Sequence, residues 1–482
     1  MTHFEHAVQA SAQVPHVFIN GEGRKGLGEV RSLIDPATEQ VWLRTRDAST
    51  IQVDEAVDGA RAALPNWSRF APGERSKPLF RFAGLIEAHA DDLALLESQN
   101  VGKPLSQARR DVCRAADYFR FYAGACDKLN GETIPLGPEQ TAMTLLDPVG
   151  VTAHVLPWNY PISTLARGAA PALAVGATVV AKPSELTPLT AVMVAKFAHQ
   201  AGVPAGVFNV VCGDGHIGAV LTSHQDIDHV TFTGSVETGR KVMQAASVPL
   251  AGITLELGGK SPVVVLDDAD LDAAAQDIAR GIFFNAGQVC AAGSRLICQR
   301  SIHDDLVARI IVIAQGMEMD APLNDPALGP LVSAKQLAQV EGFVSRAKEA
   351  GLTCVAGGKR AERLGFYYPP TIFTNVPPDA EIAQSEVFGP VLITQVCEDA
   401  EDALTLANGT NFGLVAGIYT SNTFKAMQFA RRVNAGQVFV NGFLKGGDTV
   451  PFGGVKHSGI GREKGLAGLA AYAAPKSIVL NH

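Results

Sequence analysis

At 482 residues the chain is long for one domain, so two or three are expected. Hydrophobic residues make up 47% and charged residues 18%, which suits large buried cores and excludes a disordered chain. The net charge of −8 provides no basic face and excludes a nucleic-acid partner.

Before any motif is considered, three further features narrow the setting. The seven cysteines are odd in number, scattered and without metal-ligand spacing, so a reducing, cytoplasmic location is expected rather than a disulfide framework. Met1–Ala10 carries Glu5 and two histidines instead of the apolar core of a signal peptide. The small-apolar run from Ala169 to Ala181 is interrupted by Pro171 and Gly176 and is too short to span a bilayer, so no membrane partner is expected.

In chain order, residues 1–50 read as short strands and turns, with a Gly-rich patch at 21–28 and Pro36. From Ile51 to Arg120 the pattern becomes helical: Val53, Ala56, Val57 and Ala60 share one face, as do Leu79, Phe82, Leu85 and Ile86. Asp91 and Asp92 favour a helix start before Leu93. Residues 126–146 are polar and turn-rich. Strands are then predicted at Val151–Leu156, Thr178–Lys182, Phe208–Cys212, His229–Thr233 and Ile253–Leu257, with helices between them that include Pro188–Ala201 and Ser235–Ala246. A second series follows Pro262, with strands near 262–266, 295–299, 391–396, 414–420 and 436–441. Helices near 271–285, 303–315, 334–350 and 423–433 alternate with these strands. Strict alternation implies right-handed crossovers and parallel sheets, so the fold class is α/β with two doubly wound domains and a cleft between them.

The chemistry concentrates between Ile253 and Arg295. Leu255–Pro262 opens as a strand carrying Glu256 and breaks at Gly258-Gly259. Cys290 stands in a turn of small residues (Gly287, Ala291, Ala292, Gly293) that would let another molecule approach the sulfur closely. A thiol with a carboxylate base can form and hydrolyse a thioester. Taken alone, a cysteine among small residues is more often a buried hydrophobe than a nucleophile. Wording and order shift that balance. Leu-Glu-Leu-Gly-Gly-Lys-Ser-Pro (255–262) and Phe-Asn-Ala-Gly-Gln-Val-Cys (284–290) resemble the glutamate and cysteine motifs of the aldehyde dehydrogenases. Pro-Trp-Asn-Tyr-Pro (157–161), Phe-Thr-Gly-Ser (232–235), Glu-Val-Phe-Gly-Pro (386–390) and Pro-Phe-Gly-Gly-Val-Lys-His-Ser-Gly (451–459) follow in that family's order. The resemblance runs from Phe18-Ile19-Asn20-Gly21 nearly to the C-terminus.

That resemblance implies a nucleophile (Cys290), a general base (Glu256) and an oxyanion donor (Asn159) with the Cys290 N–H as the second donor. An uncharged amide suits that role, although Asn159 could equally be a turn former. The implied course is addition of the thiolate to the aldehyde, hydride transfer to a nicotinamide, and hydrolysis of the resulting thioester by Glu256-activated water. No metal is required, and nothing in the sequence supplies a metal cluster. Gly213–Gly218 spells GxGxxG, yet no acidic residue follows at the end of the next strand, where Thr231 and Thr233 stand. The better phosphate site is the helix start at Gly234-Ser235. By resemblance, Lys182 and Glu185 hold the adenosine ribose, Trp158 lies beside the pyrophosphate, and Glu386 and Phe388 hold the nicotinamide end. Glu185 would repel a 2′-phosphate, so NAD is favoured over NADP. Lys260 is read as structural.

The domain reading assigns 1–125 and 148–257 to cofactor binding, 258–458 to catalysis, and 126–147 with 466–482 to a small β extension used in oligomerisation. An apolar strand at Ser477–Leu480 would be an open edge, so a homodimer or homotetramer is expected. Eight residues after Asn159 stands Arg167, which in some relatives grips a distal carboxylate. With Tyr160, Phe284 and Phe452 it would form an aromatic pocket with a single cation, to which Lys445 could add a second. The expected substrate is a semialdehyde or aromatic aldehyde with an acidic or phenolic end. A CoA-acylating relative is the alternative, disfavoured by Glu256; a catalytically silent binding protein is another, disfavoured by intact Asn159, Glu256, Cys290 and Glu386.

Overall fold

The computed structural model describes residues 14–482. The reading of Met1–Ala10 as free of a signal peptide falls outside these residues. Two large sheets organise the chain. Across the first, the strands run Gly459–Ile460, Gly252–Glu256, His229–Thr233, Val151–Val155, Thr178–Lys182, Phe208–Val210, Val17–Ile19 and Glu22–Arg24. From Gly252–Glu256 to Phe208–Val210 all neighbours are parallel. These strands are almost uniformly buried, as for Val151–Val155 and Thr178–Lys182, because helices cover both faces.

The order of strands matters more than their number. After the edge strands Val17–Ile19 and Glu22–Arg24, the parallel strands start in the middle at Val151–Val155, move outward through Thr178–Lys182 to Phe208–Val210, and then return to the other side of Val151–Val155 with His229–Thr233. Between the carboxyl ends of those two strands the winding reverses, which opens a crevice there. Trp158-Asn159 follows one strand and Gly234-Ser235 follows the other.

The second sheet runs Thr353–Ala356, Thr371–Thr374, Val391–Cys397, Arg295–Gln299, Pro262–Val265, Val415–Tyr419 and Gln437–Val440. It is parallel except for the first strand, an antiparallel edge with a bulge between Cys354 and Ala356. Thr353–Ala356 and Thr371–Thr374 are absent from the sequence-based expectation. Both are four residues long, and the first is half exposed, so neither carries a clear apolar run. The helices Ala400–Asn408 and Glu381–Gln384 are absent from that expectation too, while the expected strands and helices of this half fall within a residue or two of their limits. One exception matters for the site: the helix Leu271–Phe283 stops short, and Asn285 and Ala286 take φ of +50° and +52° in the following tight turn.

Four helices, Thr50–Arg69, Pro72–Ala88, Ala90–Val101 and Leu105–Ala123, occupy the expected helical stretch. The first begins with a reciprocal cap between Ser49 and Gln52. Their apolar faces join Phe208 and the helix Pro161–Val175 in a core containing Trp67, Phe82, Phe119 and Tyr122. The C-terminal strand Ala473–Asn481 pairs antiparallel with Gln140–Pro148 along its whole length, and Thr133–Pro135 completes that small sheet. One edge of the terminal strand is therefore covered by the same chain. No helix among the described residues is long and apolar enough to cross a membrane.

Candidate active site

The chain passes from the first sheet to the second through Leu257–Ser261, and this passage explains the double glycine. A Cβ on Gly258 would lie 2.2 Å from Glu386 Oε2, and one on Gly259 would lie 2.5 Å from the Cys290 carbonyl oxygen. Only hydrogen fits at either position. The Gly259 N–H also donates to Glu386 Oε1 at 3.0 Å. The two glycines therefore bring the end of the Glu256 strand, the cysteine turn and the Glu386 carboxylate together.

The cysteine turn is held by hydrogen bonds on every side. Gln288 is fully buried; its amide donates to the Asn285 carbonyl at 3.0 Å and accepts from the Val332 N–H at 2.9 Å. Asn159 donates through Nδ2 to the Gln288 carbonyl at 2.8 Å. Its own carbonyl accepts from Lys103 Nζ at 2.7 Å, and Lys103 is in turn ion-paired with buried Asp111. One Nδ2 hydrogen of Asn159 remains free. The Ala292 N–H closes the turn onto the Val289 carbonyl at 2.9 Å, and among the described residues the Cys290 N–H has no acceptor. Asn159 is thus tied to the carbonyl two residues before Cys290, and both the Asn159 amide and the Cys290 N–H keep a hydrogen unengaged among the described residues. Burial pushes the Cys290 thiol up to about 12, with Arg167 opposing and Glu386 and Glu256 reinforcing the shift.

Glu256 is buried, and neither of its carboxylate oxygens has a hydrogen-bond partner among the described residues. Burial first, and then the Glu463 carboxylate, hold it well above the usual carboxylate range, against the charges of Arg167, Arg462 and Lys464. Gly453 makes room for it: a Cβ there would lie 2.7 Å from Oε1. Such a group is a proton acceptor able to change its partner.

At the crevice of the first sheet, Ser235 caps the helix Val236–Ala246 by accepting from the Thr238 N–H, and the Gly234 N–H bonds the Glu256 carbonyl at 3.0 Å. The exposed end of this helix presents free N–H groups and a positive dipole. Trp158 and Phe388 meet edge to face with ring centroids 5.2 Å apart, so these two candidates from distant motifs line one place. Burial raises Glu386 to about 7, with the Gly259 bond and Lys260 opposing. These groups fit a dinucleotide: anion-holding N–H groups, flat aromatic faces and a carboxylate with one oxygen free. Lys182 differs from expectation in detail. Its ammonium donates to the Gly213 and Pro183 carbonyls, pinning the Gly213–Gly218 loop, and one hydrogen is left for a ligand. Glu185 is half exposed beside it. Lys260 is buried without a hydrogen-bond partner among the described residues, and burial lowers it to about 7.

A cavity of about 230 Å³ opens onto Cys290. Tyr160, Phe284 and Phe452 line it, as the sequence predicts. The expectation of a single cation fails. Arg110, Arg114, Arg167, Arg280, Lys445 and Lys464 all reach the lining. Arg167 itself is not free. Every other residue of the helix Pro161–Val175 is buried, and the guanidinium is ion-paired with Glu463 and donates to Thr233 Oγ1 at 3.2 Å. A buried guanidinium on so apolar a helix needs a fixed counter-charge, and Glu463 supplies it. Lys445 is likewise paired, with Asp277 at 2.8 Å. Sequence reading missed Glu463, Lys464, Lys103 and Gln288. The adjacent Arg462-Glu463-Lys464 charges were the available signal for two of them, but such a run usually marks a solvated loop.

The motifs, the switch-point crevice and the thiol cavity agree with what comparison with known proteins finds. The aldehyde dehydrogenase family model matches residues 24–478. An aldehyde dehydrogenase of Emericella nidulans is 41% identical over 96% of this chain and 94% of its own. Two solved structures superpose along the length: an NAD-dependent aldehyde dehydrogenase from Sinorhizobium meliloti (38% identity, TM-score 0.96, 98% and 96% of the two chains), and betaine aldehyde dehydrogenase from Staphylococcus aureus in complex with NAD+ (34%, 0.97, 100% and 98%). The chain belongs to the aldehyde dehydrogenase family. It is an oxidoreductase that acts on aldehydes.

Proposed function

We propose that the chain oxidises an aldehyde bearing an acidic or phenolic far end to the carboxylic acid, with NAD as the hydride acceptor and water as the acyl acceptor. The observation that carries this reading is Cys290 in the lining of a cation-lined aromatic cavity, on a turn that Asn159 ties through the Gln288 carbonyl, with N–H groups of Asn159 and Cys290 left unengaged among the described residues. Cys290 Sγ, its proton released to solvent, adds as the thiolate to the carbonyl carbon, and the carbonyl oxygen takes the negative charge between those two donors. NAD, when bound, supplies the acceptor for the aldehyde hydrogen. Residues that would hold it are Gly234 and Ser235 at the helix end, Lys182 and Glu185 at the ribose, and Trp158, Glu386 and Phe388 toward the reacting end. Glu256 then removes a proton from water, which cleaves the thioester and regenerates the thiol.

The same reading divides the chain into a cofactor-binding part (1–125 and 148–257), a catalytic part (258–458) and an oligomerisation segment (126–147 and 466–482). Exposed Ile134, Leu136, Leu145, Val479 and Leu480 on the small sheet support assembly as a homodimer or a dimer of dimers. Seven free cysteines, several of them buried, support a reducing, cytoplasmic setting. The deciding experiment is NADH formation without CoA across acidic, phenolic, neutral and cationic aldehydes, with product acid quantified. Equimolar acid and NADH with highest kcat/KM on acidic or phenolic aldehydes is expected. A strict requirement for CoA, or no turnover of any aldehyde, would remove the proposal. Light scattering at micromolar protein checks the assembly, which a monomer mass would contradict.

A further inference from the structure

Resting on that reading, the geometry points to Lys464 as the group that receives the anionic far end of the substrate, in place of Arg167. Among the cavity's cations, most are already committed. Arg167 pairs with Glu463, Arg114 with Asp448 at 3.1 Å, and Arg280 and Lys445 both with Asp277. Lys464 differs: among the described residues its ammonium makes no hydrogen bond and no ion pair, only contacts with the faces of Phe452 and Tyr118, 4.9 and 6.0 Å from the ring centroids. The two carboxylates closest in sequence or charge, Glu463 and Asp448, are held elsewhere, Asp448 also by the Tyr118 hydroxyl at 3.3 Å. Arg110 is the other unpaired cation, but it is exposed and lies over Phe284.

The backbone explains why Lys464 points inward. Phe452 and Glu463 exchange two hydrogen bonds of 2.7 Å, fixing the late loop beside the aromatic wall. The next residue, Lys464, takes φ +62° before the short helix Gly465–Ala470, a conformation rarely adopted by a residue with a side chain. That turn carries the side chain of a strongly hydrated residue type into a half-buried place lined by rings. Burial, then Arg167 and Arg114, lower its ammonium to about 8, and Asp448 and Glu463, each ion-paired with another cation, oppose that shift without offsetting it. A carboxylate on the ligand would supply a counter-charge. The room suits it: a cavity of roughly 150 Å³ holds a benzene ring, and this one, at about 230 Å³, takes one substituted ring or a short chain between Cys290 and Lys464.

The test compares kcat/KM for 4-carboxybenzaldehyde, 4-hydroxybenzaldehyde and benzaldehyde in wild type, Lys464→Met, Lys464→Arg and Arg167→Leu. Wild type should prefer the carboxylate over benzaldehyde. Lys464→Met should cut that ratio by about tenfold to a hundredfold, as expected for loss of one charged hydrogen bond, with the change in KM. Lys464→Arg should restore most of it, and Arg167→Leu should leave the ratio between the three substrates unchanged. An unchanged ratio in Lys464→Met, or a selective loss in Arg167→Leu, would overturn the assignment. Should Lys464→Met fail to fold, the wild type still decides: turnover of benzaldehyde without preference for its carboxylate removes this inference alone. Turnover of no aldehyde removes the proposed function with it. A preference for the phenol over the carboxylate also counts against Lys464 as a carboxylate receptor.

Discussion

The cysteine turn and the Glu256 pocket lie on opposite sides of Gly258-Gly259 and are built in opposite ways. On the cysteine side nearly every polar group is tied: Asn159 to Gln288 and Lys103, Gln288 to Asn285 and Val332, Lys103 to Asp111. On the Glu256 side the carboxylate oxygens of both Glu256 and Glu463 are without hydrogen bonds, and one ion pair to Arg167 provides the counter-charge. On the proposed mechanism the difference follows from what each side does. Oxyanion donors are effective only if they need not reorganise when charge develops. A base that serves a bound intermediate and a water must be able to move, and a tethered carboxylate could not.

Replacing the nucleophile gives the largest break in this comparison. Cys290→Ser should lower NADH formation by about a thousandfold or more, while NAD binding, followed by protein fluorescence, stays intact. Retained turnover would sink the nucleophile assignment. Glu256→Gln affects only the mobile side. A burst of NADH should survive, and the steady rate should fall by about 10²–10⁴-fold. Equal loss of burst and steady rate would place Glu256 in the first half-reaction instead.

Asn159→Ala attacks the rigid side through one donor and should cost about 10²–10³-fold in kcat, in the burst as well as the steady phase. It also removes the bond to the Gln288 carbonyl, so a matching fall in melting temperature distinguishes loss of the turn from loss of the donor. A variant that keeps its burst rate would show that Asn159 is only a turn former.

On the tied side the positions of Asn159, Cys290 and the glycines were legible, because they lie in short contiguous motifs: an amide after a strand, a thiol in a small-residue turn, glycines where backbone and carboxylate crowd. Lys103 and Asp111, which tie Asn159 from a distant helix and its approach, were not. Even so, the left-handed pair Asn285-Ala286 was hidden, because alanine gives no sign of positive φ. On the untied side Glu256 was legible but its surroundings were not. Arg167 reads as a ligand for substrate only while its partner is unknown, and Glu463 meets it only because Phe452 and Glu463 bridge late in the chain. The parallel sheets could be read from uniformly apolar runs, whereas the half-exposed edge Thr353–Ala356 gave no pattern. Lys464 was invisible for the same reason as Glu463, since a charged triplet after a glycine resembles solvated loop.

The smallest expected effects are also the most specific, because they separate Glu256 from the charges around it. Thioester hydrolysis needs Glu256 ionised, so the steady rate should rise with pH as that carboxyl loses its proton. Burial and then Glu463 raise its pKa, while Arg167 lowers it. Glu463→Gln deletes a raising charge and leaves the guanidinium uncompensated, so the rising limb of the kcat–pH profile should move to lower pH. Arg167→Leu deletes a lowering charge and should move the limb to higher pH. The opposite signs matter, since a general loss of structure would shift both in one direction or merely lower the plateau. Both variants break a buried ion pair and should melt earlier, since removing either partner costs about 3–5 kcal/mol. The NADH burst should be much less sensitive to either change than the steady rate. If the limb stays in place in both variants, a group other than Glu256 sets the pH dependence of turnover, and the untethered carboxylate loses its role as the base for hydrolysis.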